Sequence, residues 1–145
     1  MDIRKPNDSE LETIIQLSPQ AIIDGTMGEV NPTKEKTKQL IEHLTEKGSY
    51  YLIAIDNDIL MGWIFIGENR DSLTDKQNGF IYELFVREAF RGKGVARQLV
   101  QTAMNQLKQN GFSEVRLSAF AGNHVIKLYE RMGFHIRTVS MSQSL

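Results

Sequence analysis

Between Glu83 and Ala96 the chain reads Glu-Leu-Phe-Val-Arg-Glu-Ala-Phe-Arg-Gly-Lys-Gly-Val-Ala. An apolar, strand-like run breaks into a short loop, and the loop opens a long amphipathic helix. Gly92 and Gly94 stand at the loop's end with Arg87, Arg91 and Lys93 close by. The first backbone N–H groups of a helix have no partner inside it, and the aligned peptide dipoles add roughly half a positive charge there. Glycines let an anion come close to those N–H groups. A diphosphate, with its several negative charges, suits such a site. The same glycines could do no more than turn the chain, with the cations solvated. Two other phosphate-binding patterns do not fit. Lys93 is followed by Gly94 rather than by Ser or Thr, and the three-glycine spacing of a dinucleotide fingerprint is missing.

Other chemistry is narrowed by composition. The chain has no cysteine, which removes disulfides, thiolate metal sites and a cysteine acyl-enzyme. His43, His124 and His135 are scattered without metal-ligand spacing, so no metal is expected. A net charge of −1 disfavours a nucleic-acid partner. The longest apolar run, Ile59 to Ile66, is too short to span a bilayer and is broken by Gly62, and the opening residues lack a signal-peptide core. A cytoplasmic protein with no membrane partner is the expectation.

The 145 residues fit one domain, 1–145, and no repeat or linker divides them. Ile3 to Lys5 reads as a short strand. Ser9 and Glu12 have the spacing of a capping box for a first helix ending near Ser18. Asp24 to Asn31 reads as a loop, and Pro32-Thr33 opens a second helix with Leu40, Ile41 and Leu44 inward. Tyr50 to Ile55 and Ile59 to Ile66 form a hairpin around Asp56-Asn57-Asp58, Asn69 to Asn78 a mobile loop, and Phe80 to Val86 a third strand. From Gly94 to Asn110 a stripe of Ala96, Leu99, Val100, Ala103 and Leu107 marks the clearest helix. Phe112 to Ala119 is a strand, Asn123 to Met132 a helix and Phe134 to Val139 a last strand. The crossover through the long helix implies one parallel pair in a mixed sheet.

The loop motif and its surroundings resemble the GNAT superfamily of N-acetyltransferases. Arg91, Gly94 and Ala96 match that family's Arg/Gln-x-x-Gly-x-Gly/Ala signature, and Leu128-Tyr129-Glu130-Arg131-Met132-Gly133-Phe134 is similar to its Leu-Tyr-Glu-x-x-Gly-Phe run. The resemblance implies an α+β fold: a central mixed, mostly antiparallel sheet with a parallel splayed pair, flanked by four helices. Three departures stand out. Glu88 replaces a common Pro, Asn123 lies one position after the family's Asn, where this chain has Gly122, and few residues remain after Val139. The last strand is therefore short, missing or supplied by a partner subunit, which allows a homodimer.

The resemblance further implies acetyl-CoA as cosubstrate and direct attack of an amine on its thioester, and the primary amine of a small molecule is the expected acceptor. Only about one lysine-like amine in 2,500 is neutral at pH 7, a penalty of roughly 4–5 kcal/mol, so a base is useful. Glu83 is the candidate, with a structural carboxylate or a substrate counter-charge as the alternatives. Leu84, Phe85 and Val86 would line the acetyl and pantetheine path, where a backbone N–H meets the developing oxyanion. Arg91, Gly92, Lys93, Gly94, Val95 and Ala96 would take the diphosphate, with Asn123 as a further contact. Tyr129 matches the family's general acid, although Ile126, Tyr129 and Met132 also share a helical face. Trp63 reads as core. Asp24 and Glu29 could attract a cationic acceptor or simply be solvated. The rival reading is a non-catalytic acyl-CoA-sensing module, which needs the loop but neither Glu83 nor Tyr129.

Overall fold

Both Tyr51–Ile55 and Leu60–Ile66 are near-continuous apolar runs, as strands covered on both faces must be. The computed structural model describes residues 1–145. Its elements are β1 (Asp2–Arg4), α1 (Asp8–Gly25), α2 (Lys34–Glu46), β2 (Tyr50–Asp56), β3 (Ile59–Arg70), β4 (Gln77–Val86), a 3-10 turn at Glu88–Phe90, α3 (Val95–Gln109), β5 (Val115–Leu117) and α4 (Val125–Arg131). The sheet order is β1-β2-β3-β4-β5, antiparallel throughout except for the β4–β5 pair. This is the mixed sheet with four helices that the sequence implied. Asn57 and Asp58, both at positive φ (49° and 62°), make the two-residue hairpin turn.

Each face carries its own core. On one, Leu52, Ala54, Ile64, Ile66 and Ile81 meet the α3 stripe of Leu99, Val100, Ala103 and Leu107, together with Tyr129 of α4. On the other, Ile53, Trp63 and Phe65 meet Ile14 and Ala21 of α1 and Ile41 of α2. No helix is long and apolar enough to cross a membrane.

Several boundaries differ from the sequence reading. The capping box is Asn7 with Glu10, not Ser9 with Glu12: Asn7 Oδ1 accepts from Glu10 N at 2.8 Å, and Glu10 Oε1 accepts from Asn7 N at 2.9 Å. The helix then runs past Pro19 to Gly25. A mid-helix proline costs about 3 kcal/mol, and burial of Ile14, Ser18 and Ala21 against the sheet offsets it. In α2, Leu40 faces outward and Thr37 takes the inner position beside Ile41. The polar run 69–78 is strand at both ends: Asn69 pairs with Asn78 and Arg70 with Gln77, and the turn is confined to 71–76. β5 is shorter than expected, and 134–139 forms no strand, with Ile136 and Val139 exposed. A three-residue β5 offers that segment little ladder to join.

The 71–76 turn is fastened by charge. Asp71 accepts from Leu73 N, Thr74 N and Arg116 Nη1 (2.7 Å), while Glu114 takes Arg116 Nε at 2.8 Å and Lys76 Nζ at 3.2 Å. Arg116 first, then the other donors, pulls both Asp71 and Glu114 down to about 2. Carboxyls lowered on folding contribute stability above their unfolded values and lose it as they protonate. The stability deficit of Arg116→Ala is therefore expected to be full above about pH 4 and to close as pH falls toward 2. Urea melts at several pH values read it.

Candidate functional site

β4 and β5 stay together only where Gly79–Ile81 meet Val115–Leu117. Beyond that point β4 continues from Tyr82 to Val86 with no strand on its second edge. A bulge sits at the parting. Phe65 lies opposite Glu83 and Ile66 opposite Ile81, so Tyr82 is the extra residue. A bulge breaks the alternation of faces. Ile81, Leu84 and Val86 go to the α3 side, whereas Tyr82 and Phe85 go to the α1 side. Glu83 follows them, since its carboxyl meets Trp63 on that face.

The parting leaves a cavity of about 190 Å³. Ala21, Ile22 and Gly25 of α1 form one wall, Glu83 and Leu84 of β4 another, and Tyr129 with the loop from Ser118 to Asn123 the third. Glu83 keeps some surface as a residue, but its carboxyl is buried and accepts a hydrogen bond from Trp63 Nε1. Burial pushes the carboxyl up to about 7, and the indole donor partly counteracts this. Such a group is divided between acid and base forms near neutral pH, which suits proton abstraction. Tyr129 is buried at 5% exposure, and burial raises its phenol well above the ordinary range. It therefore stays protonated and can donate.

The glycine loop lies at the far end of β4. Gly92 and Gly94 take φ of +75° and +81°, the left-handed region that glycine reaches without penalty. Gly94 caps α3 without a side chain, and the first bond into it runs from Gln98 N. The N–H groups of Val95, Ala96 and Arg97 precede that bond and need partners from elsewhere. Val95's side chain is anchored in the core, Ala96 is half-buried, and Gly92, Lys93 and Gly94 are exposed. The loop thus presents backbone donors outward from a fixed base.

Other expected site residues are placed differently. Arg91 does not point at the α3 terminus: its Nε donates to Val86 O (2.8 Å) and its Nη2 meets Asp24 Oδ2 (3.3 Å), with the guanidinium 5.5 Å from the Phe85 ring. Asp24 also accepts from Gln20 Nε2 at 2.8 Å. It borders a second cavity, of about 500 Å³, with Phe85, Phe90 and Arg91, rather than the Glu83 cavity. Glu29 is exposed in the loop after α1. Asn123 has both ends of its amide engaged: Nδ2 donates to Gly25 O at 3.0 Å, and Oδ1 accepts from Val125 N at 2.9 Å. It clasps the start of α4 to the end of α1 across the cavity. The sequence reading missed the α1 wall, the bulge and the Trp63 contact. The one available signal was a glutamate inside strands as apolar and aromatic as these.

Residues 17–134 match the model of the acetyltransferase (GNAT) family. YdgE of Bacillus subtilis, an uncharacterized N-acetyltransferase, is 31% identical over 140 residues, which cover 92% of this chain and 87% of YdgE. A Pyrococcus furiosus structure assigned as an acetyl transferase superposes with a TM-score of 0.83 at 22% identity, over 99% of both chains. A Clostridium acetobutylicum structure assigned as an acetyltransferase, solved with acetyl-CoA, gives a TM-score of 0.75 at 18% identity, over 99% of this chain and 95% of that one. The two solved structures share its fold.

Proposed function

This chain belongs to the acetyltransferase (GNAT) family, and we propose that it passes the acetyl group of acetyl-CoA to the primary amine of a small molecule by direct attack. The observation that carries this reading is that Glu83 and Tyr129 line one cavity where β4 parts from β5. The residues present suit acetyl-CoA. The exposed Gly92–Gly94 turn offers backbone N–H groups to a diphosphate, and β4 beyond Ile81 has an edge free for an extended arm. When bound, acetyl-CoA supplies an activated thioester.

Every other role falls to the chain. Glu83 takes the proton from the acceptor ammonium. Backbone N–H groups within Leu84–Val86 donate to the carbonyl oxygen as it gains charge, a contribution of about 3–4 kcal/mol for one well-placed donor. Tyr129 faces the departing sulfur as a hydrogen-bond donor. Its raised phenol makes full proton transfer to a thiolate, with an ordinary value near 8.5, more uphill than for a free tyrosine. Glu29 is the exposed carboxylate available to draw in a cationic acceptor. Asp24 joins it only when Arg91 swings from it to a phosphate.

Thiol release from acetyl-CoA, measured across polyamines, aminoglycosides, amino acids and neutral arylamines, tests the reading. Turnover is expected with cationic small amines ahead of arylamines, and Tyr129→Phe is expected to lower kcat more than it raises KM. Tight coenzyme A binding with no thiol release from any amine would instead mark a non-catalytic acyl-CoA module.

A further inference from the structure

We propose that Trp63 is a positioning residue: its indole N–H holds the Glu83 carboxylate so that the other carboxylate oxygen is left to receive the substrate proton. This rests on Glu83 being the base, as read above. A buried indole N–H must find a partner, and Trp63, with 0% exposure in the middle of β3, finds Glu83 Oε1. The register explains the contact. Trp63 lies opposite Phe85, two residues beyond Glu83 on the same face, so the indole reaches Glu83 diagonally. The ring cannot easily turn away. Phe85 packs on it at 4.8 Å, and Phe65, opposite Glu83, is stacked on Tyr51 at 4.1 Å and 11°. Donor and acceptor are thus fixed by three strands, and the unbroken register from Glu83 to Val86 against β3 puts Glu83 and Phe85 on the face of Trp63.

The groups facing the carboxyl carry no charge of their own. Tyr51 of β2 interacts with Glu83 directly, Ser18 of α1 bonds the Tyr51 hydroxyl, and Tyr129 of α4 lines the same cavity. Tyr51's hydroxyl is pushed above its ordinary range by burial and by Glu83, so it too stays neutral. Glu83 is therefore raised by burial and restrained by a single donor, Trp63. In the reaction the proton leaves the acceptor nitrogen for Glu83 Oε2 and later passes to water, while the indole N–H bond stays intact.

The chain contains one tryptophan, so a nitrogen-15 spectrum holds one indole N–H resonance. In the whole, substrate-free protein that resonance is expected to titrate with a midpoint near pH 7, and to stay flat in Glu83→Gln. Exchanging Trp63 for its benzothiophene isostere removes the donor and keeps the ring volume; Trp63→Phe serves as a second variant, checked by its melt. In both, the acid limb of kcat/KM is expected to move up by about one to two pH units, the worth of a hydrogen bond to a charged group. At pH 7 this is a loss of about five- to fiftyfold that recovers in alkali, with KM for acetyl-CoA unchanged. An indole resonance that does not respond to Glu83, or a limb that stays in place in the isostere, would overturn the proposal. A titrating resonance beside full turnover in Glu83→Gln would overturn the base assignment and leave the pairing standing.

Discussion

Replacing Glu83 by glutamine is expected to cut kcat/KM by about 10²–10⁴-fold and to erase the acid limb near pH 7. A base works only when ionised, so wild-type activity should climb with pH through about 7 and then level. Glutamine can still accept the Trp63 N–H, and its volume matches, so the aromatic surround stays packed. What it cannot do is take a proton. The remaining activity should then follow the small neutral fraction of free amine, rising with pH without a break at 7. Stability should move the opposite way. A carboxyl whose value is raised on folding holds its proton more tightly in the native state, so native stability falls as pH rises from its unfolded value, near 4.3, through 7. Glutamine has no such penalty. The variant should therefore melt higher than wild type above pH 7 and show little advantage near pH 4. Lost turnover with a higher melting temperature cannot come from misfolding. A lower melting temperature at pH 8 would show that the Glu83 carboxylate is instead a stabilising structural group.

That opposition between activity and stability was only half legible in the sequence. Period and turn chemistry are local, and they exposed the α3 stripe from Ala96 to Leu107, the Asn57-Asp58 hairpin turn, and the passage from β4 through a glycine loop into a helix. Tyr129 is legible from its matched motif and Glu83 from its place beside the strand segment expected to hold the acetyl group, and the fold brings both to one cavity. What stayed hidden depends on distant partners. The apolar period suggests a helix end near Ser18, but the sheet beneath α1 carries it on past Pro19 by burying Ile14 and Ala21. The polar run before Phe80 looked mobile because Arg116, which fastens Asp71, comes 45 residues later. Asp24 looked like an acceptor carboxylate because Arg91, 67 residues on, does not announce its ion pair. The bulge at Tyr82 is subtler. No residue type there demands it, yet it is what lets Ile81 face the α3 core while Glu83, two residues on, faces Trp63.

The glycine loop is where a single substitution should do most to binding. Gly94→Glu is expected to raise the Kd for coenzyme A by about a hundredfold or more while the chain stays folded. Two effects add. At φ +81° a side chain incurs a strain of about 1–2 kcal/mol, which the free loop sheds by relaxing and ligand binding must restore. A carboxylate at the cap also sits beside the N–H groups offered to a diphosphate, where like charges about 4 Å apart near a surface repel by up to ~4 kcal/mol. Even half of that repulsion plus the strain reaches about 3 kcal/mol, or a hundredfold. The fold should tolerate the change. An added Cβ at Gly94 meets no atom within 4 Å, and Val95, at 5% exposure, still anchors the helix. A carboxylate at a helix N-terminus also interacts favourably with the dipole, which offsets part of the strain. The same attraction that would draw a phosphate thus steadies the variant while blocking the ligand. Gly94→Ala separates the two effects: it carries the strain without the charge, and its Kd should rise by about five- to thirtyfold at most. Calorimetry with coenzyme A at low and high salt reads both variants, and the extra loss in Gly94→Glu should shrink as salt screens it. Unchanged affinity in Gly94→Glu would place the diphosphate elsewhere on the chain.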